Sequence, residues 1–298
     1  MIAAAETFDG TWPYTPRYFE GAGFRMHYVD EGEGEPIVCL HGEPTWGYLY
    51  RNFIGPLSQN HRVIVPDHMG FGKSETPQDR EYRLKTHVEN LAALLDHLEL
   101  TDINFVVQDW GGPMSGAYTV RNPERVQRLF LMNTILGYGG VRPAEMSPWF
   151  TWITAAHKDG RLGEVVGNLG ITVLSVMKLL GFQNTAAVDD TWIRAYSTPF
   201  PDKASCIGAI EFPLDAALGR IADYVKEGFP GVEALKQKPA MLAEGMRDQA
   251  ILPDYALADF RALYPDAPIV ELPDAGHFCQ EDAPETLVAL IQQFLQSC

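Results

Sequence analysis

Short apolar runs alternate with amphipathic helical patterns along this chain, and the alternation is interrupted once, for a long stretch. Ile37-Val38-Cys39-Leu40, Arg62 to Pro66, Asn104 to Val107 and Leu129 to Met132 read as buried strands, and Phe24 to Val29 as a half-exposed one. Between them His87 to Leu98 places Val88, Leu91, Leu94, Leu95 and Leu98 on one helical face. Strand–helix alternation of this kind requires a mostly parallel sheet flanked by helices on both faces. The pattern stops after about Thr134 and resumes with Ala240 to Ala243, Pro268 to Leu272 and a final helix from about Pro284 to Leu295. The interval is helical, irregular and rich in Trp, Pro and Met. The chain is therefore expected to form an α/β core from 1–135 and 218–298, with 136–217 inserted as a helical cap. Its 298 residues suit one large domain with an insertion.

Composition narrows the partners. The formal charge is −16, spread along the chain, which repels nucleic-acid phosphates and anionic lipid. Neither nucleic acid nor membrane is expected as a partner; no run of about 18 apolar residues stands out, and the first residues do not resemble a secretory signal. Cys39, Cys206, Cys279 and Cys298 are scattered, without disulfide or metal-ligand spacing. A cytoplasmic location and no metal or organic cofactor follow as expectations.

In a parallel sheet, ligands sit beyond the carboxyl ends of the strands. The residues there include His41-Gly42-Glu43-Pro44-Thr45-Trp46, Asp67, Gln108-Asp109-Trp110-Gly111-Gly112, Asn133, Gly245-Met246-Arg247-Asp248 and Asp274-Ala275-Gly276-His277. Glycines after Asp109 permit the tight strand-to-helix turn of a nucleophile elbow, with Asp109 at its apex where serine normally stands. Ser115 lies six residues on, inside the helix. Asp109, Asp248 and His277 follow the chain order nucleophile, acid, histidine of an α/β-hydrolase triad. Asn133 stands where some relatives carry the acid, and an amide cannot serve as one. Gly72-Lys73-Ser74 ends like a phosphate loop, but Asp67 occupies the position where that loop needs glycine.

These motifs, with Asp67 to Ser74 and the Pro199-Phe200-Pro201-Asp202 stretch, resemble the haloalkane dehalogenases. The resemblance spans nearly the whole chain and thins between about 137 and 190. It implies the α/β-hydrolase fold and, from Glu43 and Asp248, the subgroup with an Asp-His-Asp triad and two halide-binding tryptophans. Trp110 would be one indole donor. Trp152 is favoured as the second, with Trp149 its rival. The backbone N–H of Glu43 would help form the oxyanion hole and its side chain would help hold the hydrolytic water. The implied partners are a small apolar halogenated substrate and the halide ion it releases.

The chemistry of the residues agrees. A carboxylate attacking an acyl carbon gives an anhydride, whereas attack on saturated carbon gives an alkyl ester and a departing anion. An epoxide would suit the same nucleophile. That alternative calls for a tyrosine facing Asp109, with Tyr138 and Tyr196 as candidates. A ligand-binding protein without turnover is the remaining alternative, disfavoured by the complete triad.

Overall fold

The computed structural model describes residues 2–297. Its strands are β1 (Arg17–Phe19), β2 (Met26–Glu31), β3 (Pro36–Leu40), β4 (Arg62–Pro66), β5 (Ile103–Gln108), β6 (Val126–Met132), β7 (Ala240–Gly245) and β8 (Ile269–Leu272). They form one sheet in the order β1-β2-β4-β3-β5-β6-β7-β8. The β1–β2 and β2–β4 pairs are antiparallel, and every pair from β4 to β8 is parallel. Strands β5 and β7 are buried along their whole length, as helices on both faces require. β1 escaped the sequence reading: three residues, only one of them buried, leave too little pattern to detect.

Helix Leu84–His97 starts one turn earlier than its apolar stripe suggested and buries Leu84, His87, Val88, Leu91, Leu94 and Leu95. The chain leaves the sheet after β6 and returns at β7. The cap between them includes helices Pro148–Lys158, Leu162–Val165, Leu169–Leu180, Asp190–Ser197 and Ile207–Ala217. Three of their boundaries have a local cause. Ser147 accepts the Phe150 N–H ahead of Pro148, Asp189 accepts the Trp192 N–H at 2.7 Å, and Gly181 closes its helix with φ +120°. Leu162–Leu180, taken as one stretch of 19 residues, is long and apolar enough by mean hydropathy to cross a membrane, although it is no unbroken apolar run. Here it is broken at 166–168, and Leu169, Val173, Val176, Met177 and Leu180 are buried within the protein.

Because β3 to β8 run in one direction, the residues following β3, β5, β6, β7 and β8 converge on one edge of the sheet. Asp189→Ala should lower the unfolding free energy by about 1 kcal/mol, the usual worth of an N-cap. Urea denaturation checks this as a lower midpoint at unchanged slope.

Candidate active site

β5 ends at Gln108 and the next helix, Gly111–Thr119, begins three residues later. The chain reverses through Asp109, whose φ is +49°, in the left-handed region that Asp tolerates better than most residues. Such a turn needs room. A Cβ on Gly111 would lie 2.4 Å from the Leu40 carbonyl oxygen, and one on Gly112 would lie 2.0 Å from Thr134 Oγ1. The Thr134 hydroxyl donates to the Asp109 carbonyl at 2.5 Å, and Asp109 N–H donates to Asn133 O at 3.3 Å. The carboxylate stands ahead of the helix N-terminus, where the macrodipole favours an anion. Glu43 N–H donates to Asp109 Oδ1 at 2.8 Å.

His277, wholly buried, lies on the loop after β8. Its Nδ1 is 2.8 Å from Asp248 Oδ2, and its Nε2 is 3.4 Å from Asp109 Oδ2 without a hydrogen bond. Gln108 Nε2 holds the His277 carbonyl at 3.0 Å. Asp248 accepts Ala250 N–H and Ile251 N–H on Oδ1, and Asn133 Nδ2 on Oδ2 at 2.9 Å. The structure therefore brings Asp109, Asp248 and His277 together. Asn133, set aside as a possible acid, braces Asp248 instead, with Gly245 N–H on its own Oδ1 at 2.9 Å.

Burial by itself lowers the basicity of His277. Asp248 and Asp109 outweigh it and push the imidazole up to about 10. Glu43 has the opposite fate: burial, reinforced by the Asp109 charge, holds its carboxyl well above the usual range. Its Oε1 has no partner. Glu244, at the end of β7, was not singled out from sequence. It is wholly buried, accepts Asn133 Nδ2 at 3.3 Å, and is likewise pushed upward by burial and by Asp248. A carboxylate inside the otherwise apolar run Ala240 to Gly245 was the available signal.

A cavity of about 550 Å³ opens over Asp109. Glu43, Trp110, Trp149 and Phe150 form its inner wall, and Pro143 to Met146, Ala216, Ala217 and Ile221 are among its other lining residues. Trp149 lines the cavity, and Trp152, favoured from the sequence, does not. The buried stripe of helix Pro148–Lys158 runs through Trp149, Ile153 and Ala156, leaving Trp152 on its flank. There it stacks on Trp149 with ring centroids 5.5 Å apart. Among the described residues, neither the Trp110 nor the Trp149 indole N–H has a protein acceptor, and neither is sealed from the cavity. The indole planes of Trp110 and Trp149 thus leave two donors for a bound anion.

Tyr138 and Tyr196 do not line the cavity: Tyr138 lies beside Arg121, and Tyr196 donates to Glu281 at 2.5 Å. The tyrosine that does line it is Tyr255. Ser115 is spent on the Gly112 carbonyl. Lys73 donates to the carbonyls of Ala4 and Glu6, so it does not point to phosphate.

Residues 35–160 match the α/β hydrolase fold family. The chain is 33% identical to haloalkane dehalogenase 2 of Mycobacterium tuberculosis, over 94% of this chain and 94% of that protein. It is 32% identical to the cis-3-alkyl-4-alkyloxetan-2-one decarboxylase of Shewanella oneidensis, over 96% of this chain and 90% of that protein. Among solved structures, the tetrameric haloalkane dehalogenase of Paraglaciecola agarilytica superposes with a TM-score of 0.78 at 30% identity, covering 97% of this chain and 94% of that one.

Gly42 offers a direct probe of the geometry, since a Cβ there would lie 2.0 Å from Asp109 Oδ1. Gly42→Ala should displace the carboxylate and, if halide release from a bromoalkane probe depends on that carboxylate, slow the release about 10²-fold. Stopped-flow halide detection measures the rate, and a melting temperature close to wild type separates displacement from unfolding.

Proposed function

The chain belongs to the haloalkane dehalogenase family of α/β hydrolases, and on that premise we propose that it hydrolyses carbon–halogen bonds through an ester on Asp109. The observation that carries this reading is a pair of free indole N–H groups, on Trp110 and Trp149, lining an otherwise largely apolar cavity with the Asp109 carboxylate at its base. An indole donates without accepting, so it suits a departing halide and cannot compete as nucleophile.

Asp109 attacks the carbon bearing halogen, forming a C–O bond as the C–X bond breaks, and the halide leaves into the two indole donors. The Asp109 charge is thereby consumed. One of the two carboxylates that hold a proton on His277 disappears, so the imidazole gives that proton up to solvent and becomes free to act as base. Water held between His277 Nε2 and the unpartnered Glu43 Oε1 gives its proton to His277, and its oxygen adds to the Asp109 carboxyl carbon. The Glu43 N–H stabilises the negative oxygen that develops there. Collapse of this intermediate restores the Asp109 carboxylate and releases the alcohol, taking a proton from the site. The net products are alcohol, halide and a proton, with no cofactor required.

A second reading is supported by the decarboxylase of S. oneidensis, whose name specifies a four-membered lactone. The same carboxylate would then face an oxetanone ring. Halide release from a panel of bromoalkanes, set beside carbon dioxide release from cis-3,4-dialkyloxetan-2-ones, discriminates between the readings. Neither product from either panel would return the chain to the non-catalytic alternative.

Two outcomes test the assignments within the site. His277→Ala should release about one halide per active site and stop, leaving an alkyl ester on Asp109. Peptide mass mapping locates the adduct; an adduct on Ser115, or none in a folded variant, overturns the scheme. Trp149→Phe should weaken bromide quenching of intrinsic fluorescence about tenfold, the worth of one lost hydrogen bond to a charged group. Trp152→Phe should leave bromide affinity near wild type. The reverse ranking restores Trp152 as the halide donor.

A further inference from the structure

The catalytic loops do not stand alone on the sheet edge. Helix Leu169–Leu180 of the cap ends against them, and Leu180 O accepts the N–H of Gln249, the residue after Asp248, at 3.0 Å. The backbone of Gly181 is wedged between the two loops. A Cβ on Gly181 would lie 2.8 Å from Arg247 O and 3.4 Å from Asp248 Cα, and one on Gly276 would lie 1.8 Å from Gly181 O. The seam is closed by one side chain. Asp282 accepts Gln183 N–H at 3.2 Å and Asn184 N–H at 2.7 Å on Oδ1, and Gly276 N–H at 2.8 Å on Oδ2. Beside it, Asn184 Nδ2 donates to Glu281 O at 3.0 Å, and Arg247 N–H to Ala275 O at 2.9 Å.

We propose that Asp282 is a positioning residue for the hydrolytic step, tying the cap turn Gly181–Asn184 to Gly276 and so fixing the Asp248–His277 pair beneath the cap. The inference rests on the reading of His277 as the base. Gly276 immediately precedes His277, and Gln249 immediately follows Asp248. The cap turn therefore contacts both partners of the imidazole–carboxylate pair one residue from the reacting side chains. Alkylation of Asp109 needs no base and does not depend on this seam; removal of a proton from water does. A carboxylate suits the position because both oxygens must accept. An amide there places its own N–H₂ against either Gly276 N–H or the two cap N–H groups, and one side of the seam opens.

Asp282→Asn tests this with the full-length enzyme and a reactive bromoalkane. The halide burst should persist, while decay of the alkyl-enzyme slows about tenfold to a hundredfold, as expected for a sub-ångström displacement of a catalytic group. The downfield proton resonance of His277 Nδ1–H should shift in the same variant without any substrate present. Gly181→Ala, which presses on the seam from the cap side, should reproduce both effects if Asp282→Asn folds poorly. Equal slowing of burst and decay would mark Asp282 as merely structural. Unchanged decay together with an unshifted His277 resonance would remove the proposal. A wild type that releases no halide from any substrate counts against the dehalogenase reading, and the resonance then still decides whether Asp282 positions the imidazole.

Discussion

The left-handed turn at Asp109 is the constraint on which the rest of the site depends. It is held by a second turn of the same hand: Asn133, at the end of the neighbouring strand, has φ +44°. The two brace each other through Asp109 N–H to Asn133 O and the Thr134 hydroxyl to Asp109 O. Backbone placed in this region by a residue other than glycine costs on the order of 1–3 kcal/mol, and persists only when its surroundings over-determine it. Here Leu40, Gly42, Gly111, Gly112 and Thr134 leave no alternative path for the chain. The same pair of turns then aims two side chains: Asp109 into the cavity and Asn133 onto Asp248.

Charge is arranged with equal economy. Five acidic or basic side chains meet within this buried region, yet the burial of Glu43 and Glu244 drives both toward the neutral form. What remains is one imidazole between two carboxylates. Asp248 has four donors to satisfy it, whereas Glu244 has a single long contact and one oxygen without a partner. Two buried anions side by side would repel strongly, so Glu244, with its single long contact, is the one pushed toward the neutral form. A neutral Glu244 leaves His277 flanked by the charges of Asp248 and Asp109, the two that raise its basicity.

The fold was legible because its evidence is periodic: fully buried strands are continuous apolar runs, and their ends mark the active edge. Strand direction at the β2 side was not legible, since antiparallel pairing with β4 leaves no local mark. In the site, Asp109, Asp248 and His277 were singled out by order along the chain, and the structure places both carboxylates beside the imidazole. The tryptophan pair marks the limit of such reading. Trp149 and Trp152 sit three residues apart on one helix, close enough in angle to stack, so residue type alone could not separate them. The buried spacing Trp149, Ile153, Ala156 carried the distinction. Glu244 and Asp282 were missed because contacts from distant parts of the sequence define them: Asn133 for Glu244, and Gln183 and Asn184 for Asp282.

The hydrogen-bonded seams also determine which parts of the molecule can drift. Trp149 N–H donates to Gln249 O, so the loop that carries the acid also anchors the start of the cap helix. An insertion between Arg247 and Ile251 would disturb the cap wall and the triad together, and selection on either would reject it. Pro143, Ala144, Ala216, Ala217 and Ile221 line the cavity with no hydrogen bond from their side chains to the triad loops. Mutations accumulating there would reshape the accepted substrates while inheriting the chemistry intact, which makes the wall the evolvable half of the site and the loops its fixed half.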